Sequence, residues 1–156
     1  MEEVFLGSEA LARKELTGHE LRTHHRRLLP GVYVPKRAVL TLHQRATAAW
    51  LWSGRNGVIA GRAAAALHGA RWVDQQTPIE MIFRCGRPPP GIIVRNERLD
   101  DDEVTQVGGL LVTTVQRTAF DLARHRPRNE AVADLDALAQ ATGVKAVDVL
   151  ALAERY

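Results

Sequence analysis

The chain has 156 residues, enough for one ordinary core or two small ones. An apolar fraction of 46% and a charged fraction of 25% exclude a disordered chain and match a soluble globular protein. The formal charge of +3 is modest but uneven: residues 1–75 carry 11 Lys/Arg against 6 Asp/Glu, whereas residues 76–156 carry 10 against 12. A basic first half joined to a mildly acidic second half predicts that only the first faces a polyanion.

The longest apolar runs, such as Ala63 to Leu67, fall far short of the roughly 20 residues that a membrane helix needs. The opening MEEVFLGSEA has no basic segment and no long apolar segment, so no signal peptide is expected. Cys85 is the single cysteine and has no partner for an internal disulfide, which fits a reducing cytoplasm.

In chain order, Ser8 is a candidate N-cap for a short helix over SEALARKE. Thr17-Gly18-His19-Glu20 has the T-x-x-E form of a capping box, which predicts a second helix from Gly18 to about Leu28. On a helical wheel Leu21, His24, His25 and Leu28 share one side, while His19, Arg22, Thr23, Arg26 and Arg27 share the other. Pro30-Gly31 ends this helix. Val32-Tyr33-Val34 then alternates as a strand and stops at Pro35, beside Lys36 and Arg37. Helix, turn, basic helix and short basic hairpin is the order of a winged helix-turn-helix.

Thr41-Leu42-His43-Gln44 repeats the capping-box form and opens a helix to about Trp52, with Leu42, Ala46 and Ala49 on one side. Gly54 and Gly57 break the pattern. GRAAAALHGA reads as a compact helix over Arg62 to His68, closed by Gly69 and packed deep because its alanines admit a close neighbour. A boundary is expected near Val73 to Thr77.

Pro78 to Phe83 and Gly91 to Val94 read as strands joined by the stiff turn RCGRPPPG. Val104 to Val107 and Leu110 to Thr113 suit a hairpin about Gly108-Gly109. Thr114 caps a helix, TVQRTAFDLARH, that ends before Pro127. Asn129 is the candidate cap of a helix to about Ala141, with Gly143 as its stop, and a last helix from about Val144 runs off the chain at Tyr156.

The fold class expected is thus α+β, with a winged helix-turn-helix over residues 1–75 and a small mixed α/β domain with C-terminal helices over residues 76–156.

Charge runs are usually solvated faces. The basic run departs from that pattern because its cations share one face, a capped helix-turn-helix precedes them and a basic hairpin follows. Arginine reads guanine edges bidentately, and neighbouring cations hold phosphates and fix register. The candidate DNA-binding residues are therefore His19, Arg22, Thr23, Arg26, Arg27, Lys36 and Arg37. Recognition helices usually meet base edges with their N-terminal part, which assigns Arg22, Thr23 and His19 to bases and Arg27, Lys36 and Arg37 to phosphates; Arg26 suits either.

His24-His25 lack zinc-ligand spacing and read as core-edge histidines. Asp100 to Glu103 has no second acidic cluster at a convincing distance and reads as a charged loop or cap. Neither Ser8 nor Ser53, the two serines, lies in a nucleophile elbow. Arg117 and Asp121 stand at i, i+4, and the expectation is a helix-surface pair contributing a few tenths of a kcal/mol. No catalytic residue, metal or cofactor is expected, and so no enzyme activity.

"RRLLPGVYVP" (Arg26 to Pro35), "GRAAAALHGA" (Gly61 to Ala70) and "VTTVQRTAFDLAR" (Val112 to Arg124), in this order and spacing, resemble the abortive-infection (AbiEi-like) antitoxin family of type IV toxin–antitoxin systems, most closely its actinobacterial branch. The resemblance covers nearly the whole chain. It implies an N-terminal winged helix that binds operator DNA and represses its operon, with the seven candidate residues on the DNA side. It implies a second half that supports antitoxicity towards a nucleotidyltransferase-type toxin. A homodimer on an inverted repeat is the expected assembly. Many actinobacterial proteins of this kind continue into a domain similar to very-short-patch-repair endonucleases. Two alternatives therefore stand beside the repressor: the DNA-targeting N-terminal part of a longer nuclease-like protein, and a protein-interaction domain without DNA binding.

Overall fold

The computed structural model describes residues 3–156. The chain enters through a two-residue strand, β1 (Phe5–Leu6), and turns at once into helix α1 (Gly7–Ala12). Ser8 is not the cap expected: the N-cap is Leu6, and the entry is fixed instead by the Gly7 amide donating to the Gly31 carbonyl at 3.0 Å. Helix α2 (Gly18–His24) starts as expected. Thr17 Oγ1 accepts from the Glu20 amide at 3.1 Å, and Glu20 Oε1 accepts from the Thr17 amide at 3.2 Å.

The helix does not reach Leu28. At His25 the backbone turns extended (φ −129°, ψ 157°), and His25–Leu29 form strand β2, paired antiparallel with β3 (Val32–Pro35). The capping box dictates only where a helix begins. Where it ends is decided here by β3, whose backbone donors and acceptors on one side need a partner strand. The three strands order as β1-β3-β2. The face carrying Phe5 and Tyr33 packs under α1 and α2, with Ala10 and Leu21 buried there. The other face sends Leu29, Val32 and Val34 into the main core.

Helix α3 (Leu42–Trp52) has the Thr41 capping box and buried Leu42, Ala46 and Ala49, as the sequence predicts. It leads to β4 (Val58–Ala60), a fully buried strand too short to show a period in the sequence, and directly to α4 (Gly61–Leu67), with Ala63, Ala64 and Ala65 buried. Then come β5 (Ile79–Ile82), β6 (Ile92–Arg95), a 3-10 turn at Asp101–Glu103, and the hairpin of β7 (Val104–Val107) and β8 (Leu110–Thr113). Gly108 and Gly109, at φ 56° and 82°, make that hairpin's turn. The second sheet has the order β6-β5-β4-β8-β7; β5 and β6 run parallel, so the proline-rich segment between them returns the chain along the sheet.

The boundary expected at residues 73–77 is therefore not a boundary. Strand β4, from the first half, is the centre of this five-stranded sheet. It pairs antiparallel with β5 and in parallel with β8, Ile59 opposite Val112. Helix α3 lies between the two sheets, and one buried cluster runs from Val4 through Ala46 and Ile59 to Met81 and Val112.

The opposite face of the large sheet is covered by α4 and α5 (Val115–His125); α6 (Arg128–Thr142) packs on these two helices, and α7 (Ala146–Ala153) packs on α5. Thr114 caps α5 and Gly143, at φ 72°, ends α6, both as expected. Asn129 is not the cap of α6, whose N-cap is Pro127. Helix α7 stops at Ala153 rather than running off the chain, and Tyr156 folds back against the network described below. No helix among the described residues is long and apolar enough to cross a membrane.

Candidate nucleic-acid interface

All seven candidate residues are exposed, but they do not share one helix. His19, Arg22 and Thr23 lie on α2 at i, i+3 and i+4, so they form one outward face beside the capped N-terminus. Thr23 Oγ1 lies 3.5 Å from His19 Nε2. The Arg22 guanidinium lies over Gly18, where an added Cβ would sit 3.2 Å from Nη1; the missing side chain at Gly18 leaves that space.

Arg26 and Arg27 belong to β2, and strand alternation sends them to opposite faces. Arg26 pairs across the hairpin with Val34 and donates from Nη2 to the Ala38 carbonyl at 3.1 Å. It braces the hairpin to the segment leading into α3. Arg27 pairs with Tyr33, so it lies on the face of the small sheet against which α1 and α2 pack, and it is exposed there. Lys36 and Arg37 follow Pro35, at the opposite end of the hairpin from the Pro30-Gly31 turn. The Lys36 amide donates to the His24 carbonyl at 3.1 Å, which sets these two cations beside the C-terminus of α2 rather than at the tip of a wing.

Among the described residues, Arg22, Arg27, Lys36 and Arg37 have no acidic partner within ion-pair distance. The histidines expected on the inner side divide: His24 is exposed, and His25 is half-buried with its ring edge-on to Phe5 at 5.1 Å between centroids.

A larger charged site lies in the second half, where the sequence suggests only a surface pair. The Arg117 side chain is fully buried. Its Nε donates to Asp121 Oδ1 at 3.0 Å and its Nη2 to Glu97 Oε2 at 3.1 Å. Its Nη1 reaches the Arg98 carbonyl and the Tyr156 hydroxyl, each at 2.8 Å, and Glu103 Oε1 at 3.3 Å. Burial works against the charge of Arg117, but Asp121 with its hydrogen bond, Tyr156 and Glu103 together hold the guanidinium above its ordinary pKa. The Tyr156 hydroxyl donates to Glu103, and burial together with that bond pushes its pKa up to about 12.

Glu97, Asp121 and His125 lie close enough to share a metal ion. Arg117 and Arg124, however, both direct guanidinium groups at Glu97 and Asp121, so the carboxylates are already neutralised by cations. In the acidic run, expected as a charged loop or cap, Asp100 and Glu103 form a capping box at the 3-10 turn, and Asp100, Asp102 and Glu103 also lie close enough to share a metal ion. Glu103 Oε2 accepts from the Asp100 amide at 2.7 Å, and Asp102 pairs with Arg155 at 2.7 Å.

Beside this network, Glu80 of β5 is buried next to Arg95, 4.0 Å away, and desolvation raises its carboxyl above the ordinary range. Its space depends on Gly61, which holds φ +60°, since a Cβ there would sit 1.7 Å from Glu80 Oε2.

Comparison of the chain with protein-family models and with curated protein sequences yields no match.

Proposed function

We propose that the chain is a double-stranded DNA-binding regulator of the cytoplasm, an antitoxin-type operator repressor that uses its N-terminal half as a winged helix and carries out no catalysis. The observation that carries this reading is the exposed face of α2: His19, Arg22 and Thr23 stand together on a capped helix, with Arg27, Lys36 and Arg37 beside it and no carboxylate paired to them among the described residues. The succession β1-α1-α2-β2-β3, with β1 added to the hairpin edge, supports the winged-helix assignment. Arg26, held by Ala38, leaves the list of base readers and becomes a brace. Exposed Val147 and Leu150 on α7, next to a groove of about 300 Å³ lined mainly by alanine, valine and leucine, support a protein partner for the second half. In this reading that partner is the toxin, and two copies of the chain occupy an inverted repeat.

The test is affinity against salt concentration for the full chain, on duplex DNA from upstream of its own gene and on a scrambled duplex. Arg22→Ala is expected to cost roughly 1–3 kcal/mol on the upstream duplex and much less on the scrambled one. Lys36→Ala is expected to weaken both about equally and to lower the salt slope by roughly 0.9. No salt-dependent binding by the unaltered protein, or two variants that leave both curves in place, overturns the reading.

A further inference from the structure

Resting on that reading, we infer that the proline-rich segment between β5 and β6 is a second DNA-backbone contact, with Arg87 as its phosphate-holding residue. The sequence presents Arg84-Cys85-Gly86-Arg87-Pro88-Pro89-Pro90 as a turn and nothing more. The parallel pairing of β5 and β6 changes its meaning. The segment leaves β5 at one end of the sheet and must return to the other end before β6 starts, so it travels the length of the strands.

Its arrival point is the hairpin of the proposed DNA-binding half. Pro90, Gly91 and Ile92 line one small cavity of about 70 Å³ together with Leu28 and Leu29 of β2, the two residues that lead into the Pro30-Gly31 turn. That is the end of the hairpin where a winged helix presents its wing. Arg87 stands three positions before Pro90, and three residues span at most roughly 11 Å, so its backbone lies within roughly 11 Å of the residue that meets β2. An extended arginine side chain covers much of that distance again.

Two further properties suit the segment to phosphate. Arg84 and Arg87 are both exposed, and among the described residues neither has an acidic partner. The three prolines hold the backbone stiff, so fixing Arg87 against a ligand costs little conformational entropy. The segment also belongs to the second half of the chain, which the charge balance alone assigns away from DNA. The large sheet, through β5 and β6, thus brings the end of this cationic segment, Pro90 to Ile92, against the hairpin.

The test uses the full chain and the same two duplexes. Arg87→Ala is expected to weaken both about equally and to reduce the salt slope by roughly 0.9, so that a rise from 50 to 200 mM salt costs the variant roughly 3.5-fold less affinity than it costs the unaltered protein. Arg84→Ala, further from the hairpin, should move the slope less. Arg128→Ala, which removes an exposed cation at the start of α6 on the far side of the large sheet, should leave it in place. Pro88→Gly with Pro89→Gly keeps every charge but loosens the segment, and should weaken binding at low salt while the slope stays closer to that of the unaltered protein. If the unaltered protein binds and Arg22→Ala weakens it, while Arg87→Ala leaves the slope unchanged, this inference falls and the DNA-binding reading stands. If Arg87→Ala and Arg128→Ala shift the slope equally, the effect is general charge and the inference falls as well.

Discussion

Replacing Arg117 by methionine tests the account of the buried network most directly. Methionine fills much of the same space but removes five polar contacts at once. The carboxylate of Glu103, 1% exposed, then loses the cation that offsets its burial, and Asp121, 3% exposed, keeps only Arg124. Removing one partner of a buried charged set typically costs about 3–5 kcal/mol, because the remaining charge is uncompensated. In a chain of this size each kcal/mol moves Tm by roughly 2–4 °C, so Arg117→Met should lower Tm by roughly 6–20 °C. Arg117→Lys should also destabilise, since a single ammonium cannot reach Asp121, Glu97 and the Arg98 carbonyl together. The assay is urea unfolding followed by circular dichroism, with the midpoint shift read at constant m. Adding Glu103→Gln and Asp121→Asn to Arg117→Met should recover part of the loss, as the stranded charges are then gone. A loss below about 1 kcal/mol, the worth of an exposed pair, refutes the reasoning and returns Arg117 and Asp121 to the helix surface.

Two other sites give independent checks. The Glu80 carboxyl is raised by desolvation above its ordinary 4.5, so the folded state holds the proton longer than the unfolded chain does; stability is fully present below 4.5 and is lost as pH rises through the raised value. Glu80→Gln should therefore match the unaltered protein near about pH 4 and exceed it in Tm near about pH 7, and equal melting differences at both pH values contradict the assignment. Gly61→Ala should cost more than the ~1–2 kcal/mol of a left-handed alanine, because its Cβ also displaces Glu80. Combining it with Glu80→Ala should remove the excess and keep the backbone part; strictly additive losses in urea unfolding show that the two residues do not compete for space.

What the sequence disclosed was whatever is decided within a few residues. Thr17, Thr41 and Thr114 each bond an amide three positions on, so their caps were readable without knowing the fold. The Gly108-Gly109 hairpin was readable for the same reason. Strand β4 was not, because three apolar residues between two glycine-marked breaks carry no period, and its partners lie far along the chain. The end of α2 was hidden because the competitor, β3, supplies hydrogen bonds that a helical wheel ignores. Arg117 and Asp121 show the same spacing on a wet or a dry helix face, and what buries them arrives from Glu97, Glu103 and Tyr156. For the candidate interface, charge disclosed which residues meet solvent. It did not disclose that Arg26 and Arg27 diverge on a strand, or that Lys36 and Arg37 lie at the C-terminus of α2.

The central place of β4 sets the order in which a growing chain can fold. Val58, Ile59 and Ala60 leave the ribosome long before one of their two partner strands, since Val112 of β8 follows Ile59 by roughly 50 positions, or roughly 3–10 s at ordinary synthesis rates. During that interval the hairpin of β2 and β3 can close on neighbours already made and β5 can cover one edge of β4, whereas the edge that β8 takes stays open. The nascent chain therefore carries an apolar strand with one open edge, the kind of edge that pairs with copies of itself. Closing the β4–β8 pair comes late and requires a long loop to be ordered, which makes it the slow step of folding. Until β8 emerges, the small sheet and α3 rest on a large sheet that lacks the β8–β7 side.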